Sequence, residues 1–108
     1  MLYLVPQADL KTVNGEVIQI QNGDTLTLKT DRDKLHKVRL ADIDAPEMGQ
    51  PFGRVAQRLA MDLAFEKIVR VNYIFKDKYK RLIGEVFLPD GKLLNEEMLK
   101  SGLAWHYR

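Results

Sequence analysis

The chain has 108 residues, 45% of them hydrophobic and 30% charged, a net charge of +2 and no cysteine. One domain is the ceiling at this length and the composition excludes disorder, while the missing cysteine excludes disulfide frameworks, thiolate metal sites and cysteine nucleophiles. The charge excess is too small to argue for nucleic acid by itself, and no apolar run approaches the roughly 20 residues that cross a membrane.

Residues 1–11 carry no basic leader region, and their apolar stretch is too short for a signal peptide. They read as a flexible N-terminal arm on a single domain spanning 1–108. Thr12 to Gln21 is rich in β-branched, alternating residues and predicts a first strand. Asn22-Gly23 is a hairpin signal. Thr25 to Leu28 alternates polar and apolar, as a half-buried strand does. Asp31 to Lys34 is a charged turn. Lys37 to Ile43 resumes the alternation, with Val38 and Leu40 on one face and Arg39 on the other. Pro46 ends that strand, because proline cannot donate to a ladder.

Phe52, Val55, Ala56, Leu59, Ala60 and Leu63 recur at helical spacing and predict an amphipathic helix from about Gly53 to Phe65. Val69, Val71, Tyr73 and Phe75 predict a fourth strand, and Leu82 to Leu88 a fifth. Asn95 is a candidate cap for a second helix that stops at Gly102. Three strands, a helix, two strands and a helix are the order of an OB-fold, in which a helix separates the third and fourth strands. The expected class is therefore α+β, mainly β: a five-stranded OB-fold barrel with flanking helices.

The polar residues at strand ends are the candidates for chemistry. Asp24 follows the first hairpin; Asp44 and Glu47 close the third strand; Arg39 lies inside it; Arg81 opens the fifth. Carboxylates are the hard oxygen ligands that Ca²⁺ or Mg²⁺ takes. Arginine forks match phosphate oxygens. Together these groups suit phosphoryl transfer, with a carboxylate to activate water. Each also has a plainer reading. Asp24 and Asp44 are common turn residues, Glu47 an ordinary surface acid, and Arg39 a partner for a cross-strand acid. Spacing alone does not bring them together. From Lys67 to Arg81 six basic residues accompany one acid, Asp77; the plain reading is a solvated strand edge.

The remaining suspects are weaker. His36 reads as an exposed turn residue and His106 as part of the tail. Trp105 and Tyr107 either pack on the barrel or stack on a base, as aromatic rings on such surfaces do. Met61 and Met98 read as core fillers. No Walker-type or dinucleotide-binding glycine pattern is present.

Five strings carry a resemblance. They are Asn22 to Thr25, Val38 to Glu47, Gly49 to Gly53, Asp77 to Arg81, and Gly102 to Trp105. In this order and combination the sequence resembles the staphylococcal nuclease (thermonuclease) family, over nearly the whole chain from Val13. The resemblance implies an OB-fold and one bound Ca²⁺. It also implies hydrolysis of DNA and RNA to 3′-phosphate products, with single strands or breathing duplex favoured. By position, Asp24 and Asp44 are similar to the metal-ligating aspartates, and Ala45 to the residue whose carbonyl completes the set. Glu47 matches the general base. Arg39 and Arg81 match the phosphate-binding arginines, and Lys78 and Tyr79 match contacts to a terminal phosphate.

The resemblance favours a secreted or periplasmic monomer with no membrane partner. The alternative is an inactive OB-type module that binds nucleic acid or protein; such modules lose one or more of these acids and arginines, all of which are present here. Two positions depart from the family pattern. Lys80 stands where glycine is usual before the second arginine, and Asn22 where aspartate is common. Lys80 is expected to strain its turn.

Overall fold

Strands outnumber helices among the described residues, and one long strand closes five of them into a barrel. The computed structural model describes residues 9–106. Residues 1–8 of the expected arm, and Tyr107, lie outside that range. Lys11 already opens the first strand.

The elements run β1 (Lys11–Asn22), β2 (Thr25–Lys29), β3 (Leu35–Leu40), β4 (Ile43–Asp44), α1 (Gly53–Ala64), β5 (Ile68–Lys76), β6 (Leu82–Phe87), α2 (Leu94–Lys100) and β7 (Trp105–His106). Five of them form a closed barrel in the order β1-β2-β3-β6-β5, with β1 also paired to β5. All barrel neighbours are antiparallel except β3 and β6. This is the mainly β, five-stranded OB-fold with flanking helices that the element order predicts.

Two short strands, β4 and β7, pair as a separate antiparallel ribbon. At two residues each, they are too short for alternation to reveal. The expected strand over Lys37–Ile43 is consequently split: β3 ends at Leu40, and Asp42 turns the chain with φ 66°. The first hairpin also differs by one position. Asn22 pairs with Thr25, so the two turn residues are Gly23 and Asp24. Asn22 serves that turn by accepting the Asp24 N–H at 2.9 Å. Gly23 is required for space: a Cβ there would lie 2.9 Å from the Cβ atoms of both Ala45 and Ala56.

The barrel interior holds Val17, Leu26, Leu28, Val38, Leu40, Val71, Leu82 and Val86, all buried. Helix α1 lies against β1. Its buried stripe is Gly53, Ala56, Ala60 and Ala64. Small side chains at i, i+3 and i, i+4 spacing let a helix backbone come close to its neighbour. The larger residues of the predicted face are displaced to the rim. Leu59 and Leu63 are partly buried, but Phe52 and Val55 are exposed, and so is Met61, expected in the core.

Asn95 is not a cap. Helix α2 begins at Leu94 with no side-chain cap. The Asn95 side chain is instead buried against the barrel. Its Oδ1 accepts the Val86 N–H at 3.1 Å. Its Nδ2 donates to the carbonyls of Ala41 at 3.1 Å and Gly84 at 3.2 Å. One amide therefore joins α2, β6 and the residue after β3. His36 likewise lies within β3, half-buried, not in a turn. Burial, then the nearby cations of Lys34 and Lys76, hold its imidazole below the usual histidine range.

Candidate active site

Antiparallel register brings the first acid to the first arginine. Thr25 of β2 stands opposite Arg39 of β3. Asp24, one residue earlier, is locked to the end of β3 because the Leu40 N–H donates to its carbonyl at 2.8 Å. The Asp24 side chain is itself buried. Its Oδ1 accepts the Thr25 hydroxyl at 2.9 Å, and its Oδ2 accepts the Ala45 N–H at 2.9 Å.

Arg39 occupies the centre. Its Nη1 donates to the carbonyls of Leu40 at 3.0 Å and Ile43 at 2.7 Å, which bracket the turn between β3 and β4. Its Nη2 is hydrogen-bonded to Asp44 Oδ1 and lies 3.5 Å from Asp24 Oδ2. Two acids twenty positions apart in sequence thus converge on one guanidinium nitrogen. A planar fork with donors on two edges can hold four oxygen atoms this way, and an ammonium cannot.

Arg81 shares a cleft with Arg39. Arg39, Asp42, Ile43, Phe75, Asp77, Arg81 and Ile83 line one cleft of about 290 Å³. The parallel pairing of β3 with β6, which sets Arg39 opposite Ile83, places the two arginine-bearing segments side by side. Arg81 donates from Nε to Asp77 Oδ2 at 2.7 Å. Asp77 Oδ1 accepts the N–H groups of Tyr79 at 2.9 Å and Arg81 at 3.0 Å. Burial pushes the Asp77 carboxyl up, but these bonds outweigh it and hold the group below its ordinary value. Its contribution to the turn is complete above the usual carboxylate range and is lost as pH falls through the depressed value. Asp77 is a residue that sequence reasoning passed over. An acid four positions before an arginine across a tight turn is the signal that identifies it.

Lys80 takes φ 63° in this turn. The left-handed region costs a residue with a Cβ about 1 kcal/mol relative to glycine. Lys80→Gly is expected to raise the unfolding free energy by about that amount. Urea denaturation measures it, and an unchanged or lower midpoint would contradict the strain. Lys78 and Tyr79 stand exposed at the tip, where the Lys78 ammonium and the Arg81 guanidinium lie 5.2 Å and 5.4 Å from the centre of the Tyr79 ring.

Glu47 stands apart. It is exposed, three residues beyond Asp44. No hydrogen bond or ion pair among the described residues links its carboxylate to Asp24, Asp44 or the arginines. The loop that carries it is nonetheless built. The Glu47 N–H donates to the Gln50 side-chain oxygen at 2.8 Å, and the Gln50 N–H returns to the Glu47 carbonyl at 2.9 Å. Gly53 seals the loop, since a Cβ there would lie 2.0 Å from the Glu47 carbonyl oxygen. The described residues contain no cluster of three or more His, Cys, Asp or Glu suited to a metal. A cation here would hold two carboxylates and draw its other ligands from carbonyl, water and phosphate oxygens.

A family model described as Staphylococcal nuclease homologue matches residues 37–108, more than half of the chain. A protein named micrococcal nuclease from Shigella flexneri is 45% identical over 103 residues, covering 87% of this chain and 58% of its own. An uncharacterized endonuclease of Haemophilus influenzae is 44% identical over 92 residues, 85% of this chain and 51% of its own. One from Escherichia coli O157:H7 is 38% identical over 95 residues, 88% and 61%. The chain therefore spans between half and six-tenths of the length of these curated relatives.

Proposed function

The chain belongs to the staphylococcal nuclease homologue family, and on that footing we propose that it is a Ca²⁺-dependent nuclease hydrolysing phosphodiester bonds of DNA and RNA to 3′-phosphate products. The observation that carries this reading is the shared guanidinium: Asp24 and Asp44 both meet Arg39 Nη2, and Arg39 shares a cleft with Arg81. The family match begins at Lys37, so the place of Asp24 in the site rests on this contact.

The donor set suits a hard dication. The Asp24 and Asp44 carboxylates converge where a positive charge already sits, and the Ala45 carbonyl is adjacent in the chain. Bound there, Ca²⁺ supplies Lewis-acid stabilisation of the nonbridging phosphate oxygens. The chain's own residues do the rest. Arg39 and Arg81 present guanidinium donors across the cleft, matched to charge developing on the phosphorus oxygens. Glu47, an exposed carboxylate with no side-chain bond among the described residues, accepts a proton from the attacking water. Lys78 and Tyr79 at the exposed tip of the turn hold a terminal phosphate. Phosphate contacts carry no sequence information, so cleavage has low sequence specificity and favours single strands or breathing duplex. The working species is a monomer. No described helix is long and apolar enough to cross a membrane.

The test is degradation of single-stranded DNA with Ca²⁺ and with chelator, followed by end-group analysis of the fragments. Ca²⁺-dependent cleavage leaving 3′-phosphates is expected. Cleavage unaffected by chelator removes the metal from the reading, and no cleavage with Ca²⁺ removes the activity.

A further inference from the structure

Seven residues beside the active site enclose a second cleft, and none of them has a role in hydrolysis. Pro46, Gln50, Pro51, Phe52, Gly102, Leu103 and Trp105 surround about 370 Å³. Two large aromatics stand at its rim, Phe52 at 69% exposure and Trp105 at 52%. The described residues leave both rings largely in water. A Phe side chain gains nothing from burial when it is mostly in water.

Phe52 also adopts φ 67° at the start of α1. Glycine or asparagine takes that conformation at lower cost. The sequence therefore holds an aromatic ring in solvent on a strained backbone. Such an outlier points from structure to function.

The cleft adjoins the site at two points. Trp105 is the register partner of Asp44 in the β4–β7 ribbon. Gln50 lies three residues from Glu47 and is bonded to it. That bond occupies the Gln50 side-chain oxygen with the Glu47 N–H, which orients the amide and leaves its NH₂ able to donate. Flat apolar faces from two aromatics and two prolines, with one amide donor at the edge, fit a planar heterocycle bearing hydrogen-bond acceptors.

We propose that this cleft is a base-binding subsite, which takes one unstacked nucleobase of a single-stranded nucleic acid beside the scissile phosphate. The ring stacks on Trp105 or Phe52, and the Gln50 amide donates to an acceptor on its edge. Stacking is tolerant of base identity, because every base has a π face. The subsite rests on the nucleic-acid reading above, but on none of the hydrolytic residues.

Trp105 is the only tryptophan in the chain, so its fluorescence reports on the cleft directly. The probe is a phosphorothioate-linked oligothymidylate, titrated with Ca²⁺ and again with chelator. The control is an abasic chain of the same length and linkage. Quenching by the oligothymidylate and not by the abasic chain is expected. Phe52→Leu keeps apolar bulk but removes the π face, and should weaken binding by about tenfold, while Phe52→Tyr restores it.

Equal quenching by the abasic chain, no quenching in either buffer, or no effect of Phe52→Leu overturns the proposal. So does a concentration-dependent Trp105 shift without nucleic acid that Phe52→Leu abolishes, since the patch then joins two copies of the chain. Intact quenching together with no cleavage of ordinary single-stranded DNA under Ca²⁺ would remove the hydrolytic reading and leave the subsite. Cleavage without quenching would do the reverse.

Discussion

Arg39→Lys is expected to lower kcat for single-stranded DNA cleavage by about 10²-fold or more, the scale of one lost transition-state donor. The charge survives this change and the geometry does not. Arg39 donates to two carbonyls while touching two carboxylates. A lysine ammonium reaches one such point at a time and has no planar fork for phosphate. Part of the loss will be structural, because the Ile43 carbonyl and the buried Asp24 lose a partner. Comparison with Glu47→Gln separates the two effects. Glu47 is exposed and makes no side-chain bond among the described residues, so its replacement should leave the thermal midpoint unchanged while reducing kcat by a similar factor. Steady-state kinetics alongside thermal melts make the measurement. Near-wild-type rates in both variants would remove the assignments.

Asn95→Leu is expected to destabilise the protein by about 3 kcal/mol, with the active-site residues untouched. Leucine is similar in size and apolar, so packing is largely kept. What goes is the amide that satisfies the Val86 N–H and the Ala41 carbonyl inside the structure. Each buried polar group left without a partner costs about 1–3 kcal/mol. Urea unfolding should show a lower midpoint at an unchanged slope. A loss below about 1 kcal/mol would mean that water or a backbone shift replaces the amide.

Much of the barrel was legible because most of its strands are half-buried; β2, expected to be so, is instead buried on both faces from Thr25 to Leu28. Val38 and Leu40 alternate with Arg39, and the pleat turns that alternation into inside and outside. Order then followed, since a helix between the third and fourth barrel strands leaves few topologies. Periodicity failed where distance to a neighbour, not hydrophobicity, chose the buried face. Helix α1 packs on Gly53, Ala56, Ala60 and Ala64, so Phe52 and Val55 lost the place that their character predicts. Asn95 misled for a related reason. Its capping propensity is local, whereas three long-range bonds decide its position. For the site, residue types and family strings suggested which side chains matter. That Asp24 meets Arg39 depends on the β2–β3 register, and that Arg81 shares a cleft with Arg39 depends on a parallel contact between β3 and β6. Neither pairing is written in local sequence. The β4–β7 ribbon, which joins Trp105 to Asp44, was invisible for its brevity.

The strand β6, residues 82–87, is the last of the barrel strands in chain order, yet it sits between β3 and β5. Until the ribosome has released it, β3 has an open edge and Arg39 faces no second wall. A nascent chain therefore has neither a finished sheet nor both arginine-bearing walls of the cleft, whichever earlier strands have paired. Unfinished edges of this kind invite pairing with other chains. The gap in the sheet is filled by the same segment that brings Arg81 into position, so completing the two-arginine cleft and closing the open edge are a single event.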